Sequence, residues 1–159
     1  MKKIIQIIDK LTDYSAFISS LFMILIVALI LIEIGLRTFF NTSTLISDEY
    51  SAYFFVVVVM LGLGYTFKED GHIRITIILG RLKPKAQKVL DIICCLIALI
   101  LTLFMLYYSF KMVIDTYNLD MRADSIAETP LFIPQIALPV GFAIFALSII
   151  GKIIRRIRK

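Results

Sequence analysis

The chain has 159 residues, of which 60% are hydrophobic and 18% charged, and it carries a formal net charge of +5. Its mean hydropathy of +0.92 excludes an ordinary soluble domain. Charged residues are absent from four stretches, at residues 14–32, 50–67, 92–110 and 129–151. As helices these stretches would be roughly 27 to 34 Å long, close to the hydrocarbon thickness of a bilayer. The sequence therefore predicts an all-α membrane protein with four transmembrane helices.

We expect these helices at about residues 14–38, 48–68, 89–111 and 130–154, within one membrane domain covering residues 1–159. Of the 17 Lys and Arg residues, 14 lie in the two terminal segments and the middle connector. By the positive-inside rule this bias predicts that both termini are cytoplasmic. The cations lie beside the membrane stretches, where lipid headgroups are the expected partner and nucleic acid is not. The first apolar stretch is too long for a signal peptide, so we expect it to remain uncleaved.

Glu33 and Arg37 follow the first uncharged stretch and lie one helical turn apart, on one face. A pair of this kind in a low-dielectric setting indicates a structural latch or a partner contact. The alternative is that both side chains reach separately to the membrane interface.

Asp48 and Glu49 precede the second uncharged stretch, with Ser47 placed to cap the helix. On the outer face they could dock a partner protein. Favourable interaction with the helix dipole is a sufficient alternative explanation.

The middle connector contains a basic amphipathic segment at about residues 73–86. At a helical period its cations and its apolar residues fall on different faces, which is typical of a helix lying in the headgroup plane. The alternation of polar and apolar residues at 72–77 also fits a short strand, and Pro84 could interrupt any helix. A solvated turn is the remaining alternative. The candidate lipid or partner contacts are His72, Arg74, Arg81, Lys85 and Lys88.

Neither catalysis nor cofactor binding is indicated by the remaining residues. A single histidine cannot supply paired haem ligands or a multi-histidine metal site. Cys94 and Cys95 are adjacent and are most simply small apolar residues. We therefore predict no enzyme activity, no metal and no cofactor.

The fourth stretch is expected to begin near Pro130 or Pro134. Pro139 lies deeper and removes a backbone donor, so a kink is predicted around Pro139 and Gly141.

Several short motifs, taken in order and spacing, resemble the small membrane subunit (DctQ/SiaQ-like) of tripartite ATP-independent periplasmic (TRAP) transporters. The motifs are Glu33-Ile34-Gly35-Leu36-Arg37, Phe40-Asn41, Asp48-Glu49, Tyr53, Gly62, His72-Ile73-Arg74 and Leu138-Pro139-Val140-Gly141.

The resemblance implies a bacterial inner-membrane complex with a large transport subunit that holds the substrate and sodium sites. It also implies a periplasmic substrate-binding protein that delivers an organic acid of the sialic acid or C4-dicarboxylate type. The chain itself would be a scaffold and anchor.

Two other classes of protein fit four short helices. A self-sufficient small multidrug exporter would need a titratable carboxylate within its first helix, and Glu33 lies just after the uncharged stretch. A membrane anchor of a redox enzyme would need haem ligands, which one histidine does not supply.

Overall fold

The computed structural model describes residues 2–69 and 84–158, which are organised as five helices. The helices are α1 (Lys2–Phe40), α2 (Ser47–Lys68), α3 (Pro84–Asn118), α4 (Phe132–Gln135) and α5 (Ala137–Arg158). Four helical segments are long and apolar enough to cross a membrane: Ile5–Phe40, Ser47–Lys68, Ala86–Asn118 and Phe132–Arg156. The predicted all-α fold with four membrane-spanning helices is therefore confirmed.

Two of the helices extend well beyond the uncharged stretches. α1 begins at Lys2 rather than near residue 14, and α3 runs over Pro84–Asn118 rather than about 89–111. With 39 residues α1 is about 58 Å long, roughly twice the hydrocarbon core. Absence of charge thus marks the part of a helix that can cross the bilayer, and the charged turns at either end continue the same helix.

Pro84 is the first described residue of α3, where its missing N–H breaks no hydrogen bond within the described part of the helix. Residues 84–86 of the predicted interfacial segment therefore belong to α3. The rest of that segment, at 73–83, lies outside the described residues, as do His72, Arg74 and Arg81. Lys85 is in the first turn of α3, whereas Lys88 is half-buried one turn later.

The helices are neighbours in the order α1, α2, α5, α3. α3 packs against α5 and α4, while α1 also touches α5. Asp9 of α1 lies against Arg155 of α5, so the first turns of α1 and the last turns of α5 lie at one end of the bundle, called here the terminal end. The turn at 41–46 and the connector at 119–131 lie at the opposite, distal end.

The buried face of α1 follows coiled-coil spacing and begins with two small polar residues. Thr12, Ser19, Ile26 and Glu33 follow one another at intervals of seven residues, and all four are buried. Ser15 Oγ donates to the Leu61 carbonyl at 3.0 Å, and Ser19 Oγ donates to the Val58 carbonyl at 2.8 Å. Small polar side chains allow membrane helices to approach closely and join them by hydrogen bonds.

α2 and α5 approach at two glycines. A methyl group on Gly64 would lie 2.9 Å from Ser148 Oγ, and one on Gly141 would lie 2.6 Å from Met60 Cβ. Ser148 is itself 2% exposed and pairs with Thr12 across an oxygen–oxygen distance of 3.1 Å. The glycines therefore permit the close packing of the three helices α1, α2 and α5.

The fourth span is divided at Ile136, between α4 and α5. Pro139 has no N–H to donate to the carbonyl of Gln135, four residues earlier, and the helical ladder breaks there. Val140 resumes the ladder by donating to the Ile136 carbonyl at 3.3 Å. The span begins at Phe132, between Pro130 and Pro134.

Candidate functional site

Glu33 is the centre of a polar network at the distal end of α1. Its carboxylate accepts hydrogen bonds from four donors: Arg37 Nε at 2.8 Å, Ser43 Oγ at 2.5 Å, Thr44 Oγ1 at 2.6 Å and Thr44 N at 3.2 Å. The Glu33 side chain is 7% exposed and that of Arg37 is 55% exposed. The network therefore ties the turn between α1 and α2 back onto α1, with the carboxylate rather than the guanidinium in its interior.

Ser43 and Thr44 reach Glu33 because the chain reverses sharply after α1. Asn41 and Leu45 have φ values of +51° and +59°, in the left-handed region that non-glycine residues seldom adopt. Sequence reasoning paired Glu33 with Arg37 from their spacing and missed the two hydroxyl residues.

Asp48 and Glu49, in the first turn of α2, have different surroundings. Asp48 is exposed, whereas Glu49 is half-buried and its Oε1 accepts a hydrogen bond from the Tyr53 hydroxyl at 2.6 Å. The predicted cap by Ser47 is wrong: Ile46 occupies the N-cap position, no side chain caps the helix, and Ser47 is its first residue. Ser47 is buried in the first turn of α2.

A short hairpin, residues 121–131, brings the hydroxyls of Ser125 and Thr129 to the Glu49 carboxylate and is called here the distal hairpin. Leu131 N donates to the Met121 carbonyl at 3.0 Å, and Ala123 N donates to the Thr129 carbonyl at 2.9 Å. Its tip carries exposed Asp124 and Glu128 on either side of Ile126, which is 75% exposed. An exposed apolar side chain between two carboxylates is a surface suited to a partner, and sequence reasoning did not identify it.

Ion pairs join the helices at the terminal end. Arg155 of α5 is 3.1 Å from Asp9 of α1, and Lys68 of α2 pairs with Asp13 of α1. Arg156 of α5 pairs with Asp91 of α3. Part of the positive charge expected to meet lipid is thus engaged with carboxylates of neighbouring helices.

Lys152 of α5 adds a further contact at the terminal end. Its ammonium lies 4.4 Å from the centre of the Phe67 ring and 3.3 Å from the Phe67 carbonyl oxygen. It therefore links α5 to the last turn of α2 through a cation–π contact and a hydrogen bond.

These features define a class of protein: an integral membrane protein with four spans, whose charged groups lie at its two ends and whose helices meet along seams that contain small polar residues. Within residues 2–69 and 84–158, no three His, Cys, Asp or Glu side chains are grouped so that they could hold a metal ion.

Comparison with protein families matches residues 26–159 to the family described as "Tripartite ATP-independent periplasmic transporters, DctQ component". The chain therefore belongs to the DctQ family of small permease subunits of TRAP transporters, as the sequence motifs predicted. It is a transporter subunit and not an enzyme, and the family together with the four spans indicates a multi-pass inner-membrane protein.

Individual relatives agree with this assignment. The chain is similar to a putative TRAP transporter small permease protein of Haemophilus influenzae, with 26% identity over 140 residues that cover 88% of this chain and 83% of the relative. A second Haemophilus influenzae protein of the same description is 27% identical over 129 residues, which cover 81% of this chain and 73% of that relative. Ectoine TRAP transporter small permease protein TeaB of Halomonas elongata is 24% identical over 115 residues, which cover 72% of this chain and 59% of that relative. The exporter and redox-anchor alternatives are disfavoured by these matches.

Proposed function

We propose that this subunit scaffolds and anchors the large membrane subunit of its transporter. The observation that supports this proposal most strongly is the distribution of side chains. Small polar groups lie in the seams between helices. Large apolar residues are more than half exposed, among them Phe17, Ile24, Ile100 and Phe104. Outward apolar surface suits contact with lipid or with another membrane protein. The buried carboxylate of Glu33 is already held by four donors of its own chain, which favours a structural role over substrate binding.

The proposed orientation has the terminal end in the cytoplasm. It is supported by the 14 Lys and Arg residues of the terminal segments and the middle connector. Arg74, Arg81, Lys85 and Lys88 would then face the cytoplasmic leaflet, where cations beside the membrane bind anionic headgroups. His72 would lie at the same level, and the segment as a whole would resist tilting of the scaffold.

The distal end would face the periplasm and contribute to docking of the substrate-binding protein. Asp48 is the exposed member of the acidic pair at the start of α2, and Asp124 and Glu128 add two exposed carboxylates on the distal hairpin. Glu49 lies beneath that hairpin, so its contribution would be to position the surface rather than to touch the partner. Acidic surfaces steer basic partners and accelerate their association.

The transported compound is proposed to be an organic acid, of the sialic acid or C4-dicarboxylate type, taken up with sodium. This part of the proposal rests on the family resemblance. One relative is named for ectoine, and recognition of the substrate would reside in the partner proteins.

Co-purification tests the scaffold role. A tagged copy of this chain, expressed with the large subunit of its own transporter, should retain that subunit through a detergent wash at high salt. High salt does not weaken apolar packing, whereas it screens exposed ion pairs. Recovery of this chain alone under every detergent condition would refute the proposal.

A further inference from the structure

A groove with almost wholly apolar walls lies between α1 and α2 in the distal half of the two helices. Leu29 and Ile32 of α1 form part of one wall, and Tyr50 and Phe54 of α2 form part of the other. Its volume of about 340 Å³ lies within the range of about 300–1,000 Å³ that small-molecule sites have. The groove can therefore hold part of an elongated apolar ligand.

The groove runs along the helix axes. Its α1 wall extends from Leu25 to Glu33, which is about 12 Å at the helical rise. At the inner end Phe54 contacts Phe22 edge to face, with 5.2 Å between the ring centres. Thr44 lies at the outer end, bonded to Glu33. Because both helices are long and apolar enough to cross the membrane, the apolar ligand available to this groove is an acyl chain of the distal leaflet.

A cation lies next to the outer end of the groove. Arg37 is one helical turn beyond Glu33, and its side chain is more than half exposed. Among the described residues only its Nε is engaged, donating to Glu33 at 2.8 Å. Both terminal amino groups remain available to an anion, and a guanidinium binds phosphate through such groups with charge-assisted hydrogen bonds. Arg37 therefore suits the phosphate of a lipid whose acyl chain occupies the groove.

The carboxylates around this cation favour a particular headgroup. Glu33 already pairs with Arg37, and Asp48 is exposed directly after Ser47, which lines the groove. A headgroup with a net negative charge would be repelled by these two carboxylates. The ammonium of a zwitterionic headgroup would instead be attracted to Asp48. The charges at the outer end thus complement a zwitterionic phospholipid of the phosphatidylethanolamine type.

We propose that the groove between α1 and α2 binds one phosphatidylethanolamine molecule, with an acyl chain between the two helices and its phosphate on Arg37. The surrounding lipid is as apolar as the groove, so burial of the chain by itself gives little preference. The phosphate contact is what distinguishes the bound lipid from its neighbours. The inference concerns this chain alone and stands independently of the proposed scaffold role.

Native mass spectrometry of the full chain tests the proposal. The chain is released into mild detergent from nanodiscs of equal parts phosphatidylethanolamine and phosphatidylglycerol, and the retained lipid is counted. One phosphatidylethanolamine per chain should be retained. Arg37→Gln removes the charged donors and should lower the retained fraction about tenfold. Lys111→Gln is the matched control, because Lys111 is an exposed cation on α3, which does not line the groove.

Ala28→Phe provides a second variant that fills the groove and leaves Arg37 in place, since Ala28 is one of the lining residues. It should also lower the retained fraction about tenfold. Ala52→Phe, at an exposed position of α2 that does not line the groove, should leave retention unchanged. The thermal midpoint of each variant in detergent checks that it remains folded.

Three results would overturn the proposal. One is undiminished lipid retention in both Arg37→Gln and Ala28→Phe, and another is preferential retention of phosphatidylglycerol. The third is evidence that a protein occupies the groove. Such evidence would be a dimer of the chain that both variants dissociate, or loss of the large subunit from both variants without loss of lipid.

Discussion

The surroundings of Glu33 are created by the turn that follows α1. Its four donors come from α1 itself and from Ser43 and Thr44, which the left-handed residues Asn41 and Leu45 bring back to the helix. The carboxylate is enclosed, and the guanidinium of Arg37 is more than half exposed. We infer that the acid contributes more to stability than its cationic partner.

Glu33→Ala should therefore destabilise the protein more than Arg37→Ala does. Loss of the carboxylate leaves three donors in the turn without their acceptor, and we expect the thermal midpoint in detergent to fall by roughly 5 °C or more. Loss of the half-exposed Arg37 should lower it by about 2 °C or less. Differential scanning fluorimetry of the two variants makes the comparison. A larger effect of Arg37→Ala would show that the guanidinium is the dominant member.

Pairwise spacing along a helix was sufficient to predict the contact between Glu33 and Arg37, because residues four apart on a helix are always neighbours. It could not predict Ser43 and Thr44, whose positions depend on two residues with positive φ in an irregular turn. The same limit applies to Glu49, which is covered by residues of the distal hairpin 76 and more positions further along the chain.

Packing of α2 against α5 depends on the missing side chain of Gly141. A methyl group there would lie 2.6 Å from Met60 Cβ and 2.7 Å from the Met60 carbonyl oxygen. Contacts with backbone atoms cannot be relieved by a change of rotamer, so the two helices would have to separate.

Gly141→Ala is accordingly expected to destabilise the protein by about 1–3 kcal/mol. Gly35→Ala is the matched control, since a methyl group on Gly35 meets no atom within 4 Å. The control should be neutral or slightly stabilising because alanine favours the helix. Equilibrium unfolding in mixed micelles measures both. Equal stability of the two variants would contradict the close approach of α2 and α5.

The ion pair between Asp9 and Arg155 fastens α1 to α5 at the terminal end, with a separation of 3.1 Å. Because Arg155 is 37% and Asp9 27% exposed, the coupling free energy should be only about 0.5 kcal/mol. Asp9→Arg and Arg155→Asp should each destabilise through like-charge contact, and the double variant should recover most of the loss. A double variant no better than the sum of the single ones would show that the pair does not form.

At the level of helices, some packing signals were present in the sequence. Cys95, Thr102, Ser109 and Thr116 recur every seven residues along α3 and are all buried. The same spacing begins the seam of α1 at Thr12 and Ser19, so a search for small polar residues at heptad spacing would have identified the buried face of α3 and the first part of that of α1. The charged extension of α1 before residue 14 was not predictable from the charge-free stretches, since Asp9, Lys10 and Asp13 interrupt the hydropathy there although Ile8 and Thr12 are buried against other helices.

The whole molecule presents its apolar surface outward and its charge at two ends. Composition and charge-free stretches were enough to predict that division, because a bilayer imposes the same requirement on every spanning helix. They could not predict the neighbour order α1, α2, α5, α3, which depends on the fit of particular small residues.

The two exposed carboxylates of the distal hairpin lead to a prediction for the assembled transporter. Replacing Asp124 and Glu128 by lysine should raise the concentration of substrate-binding protein that gives half-maximal uptake by about tenfold, with the maximal rate unchanged. Asp115→Lys, an exposed acidic position on α3 away from the hairpin tip, serves as the control. If the concentration for half-maximal uptake stays the same in the lysine variant, the distal hairpin is not part of the docking surface.

The most direct test of the scaffold role is sodium-driven uptake in vesicles reconstituted from purified components. Uptake should require this chain, the large subunit and the substrate-binding protein together, and omission of this chain should abolish it. The chain on its own should transport nothing. Full uptake by the large subunit and the binding protein without this chain, or uptake by this chain alone, would contradict the account.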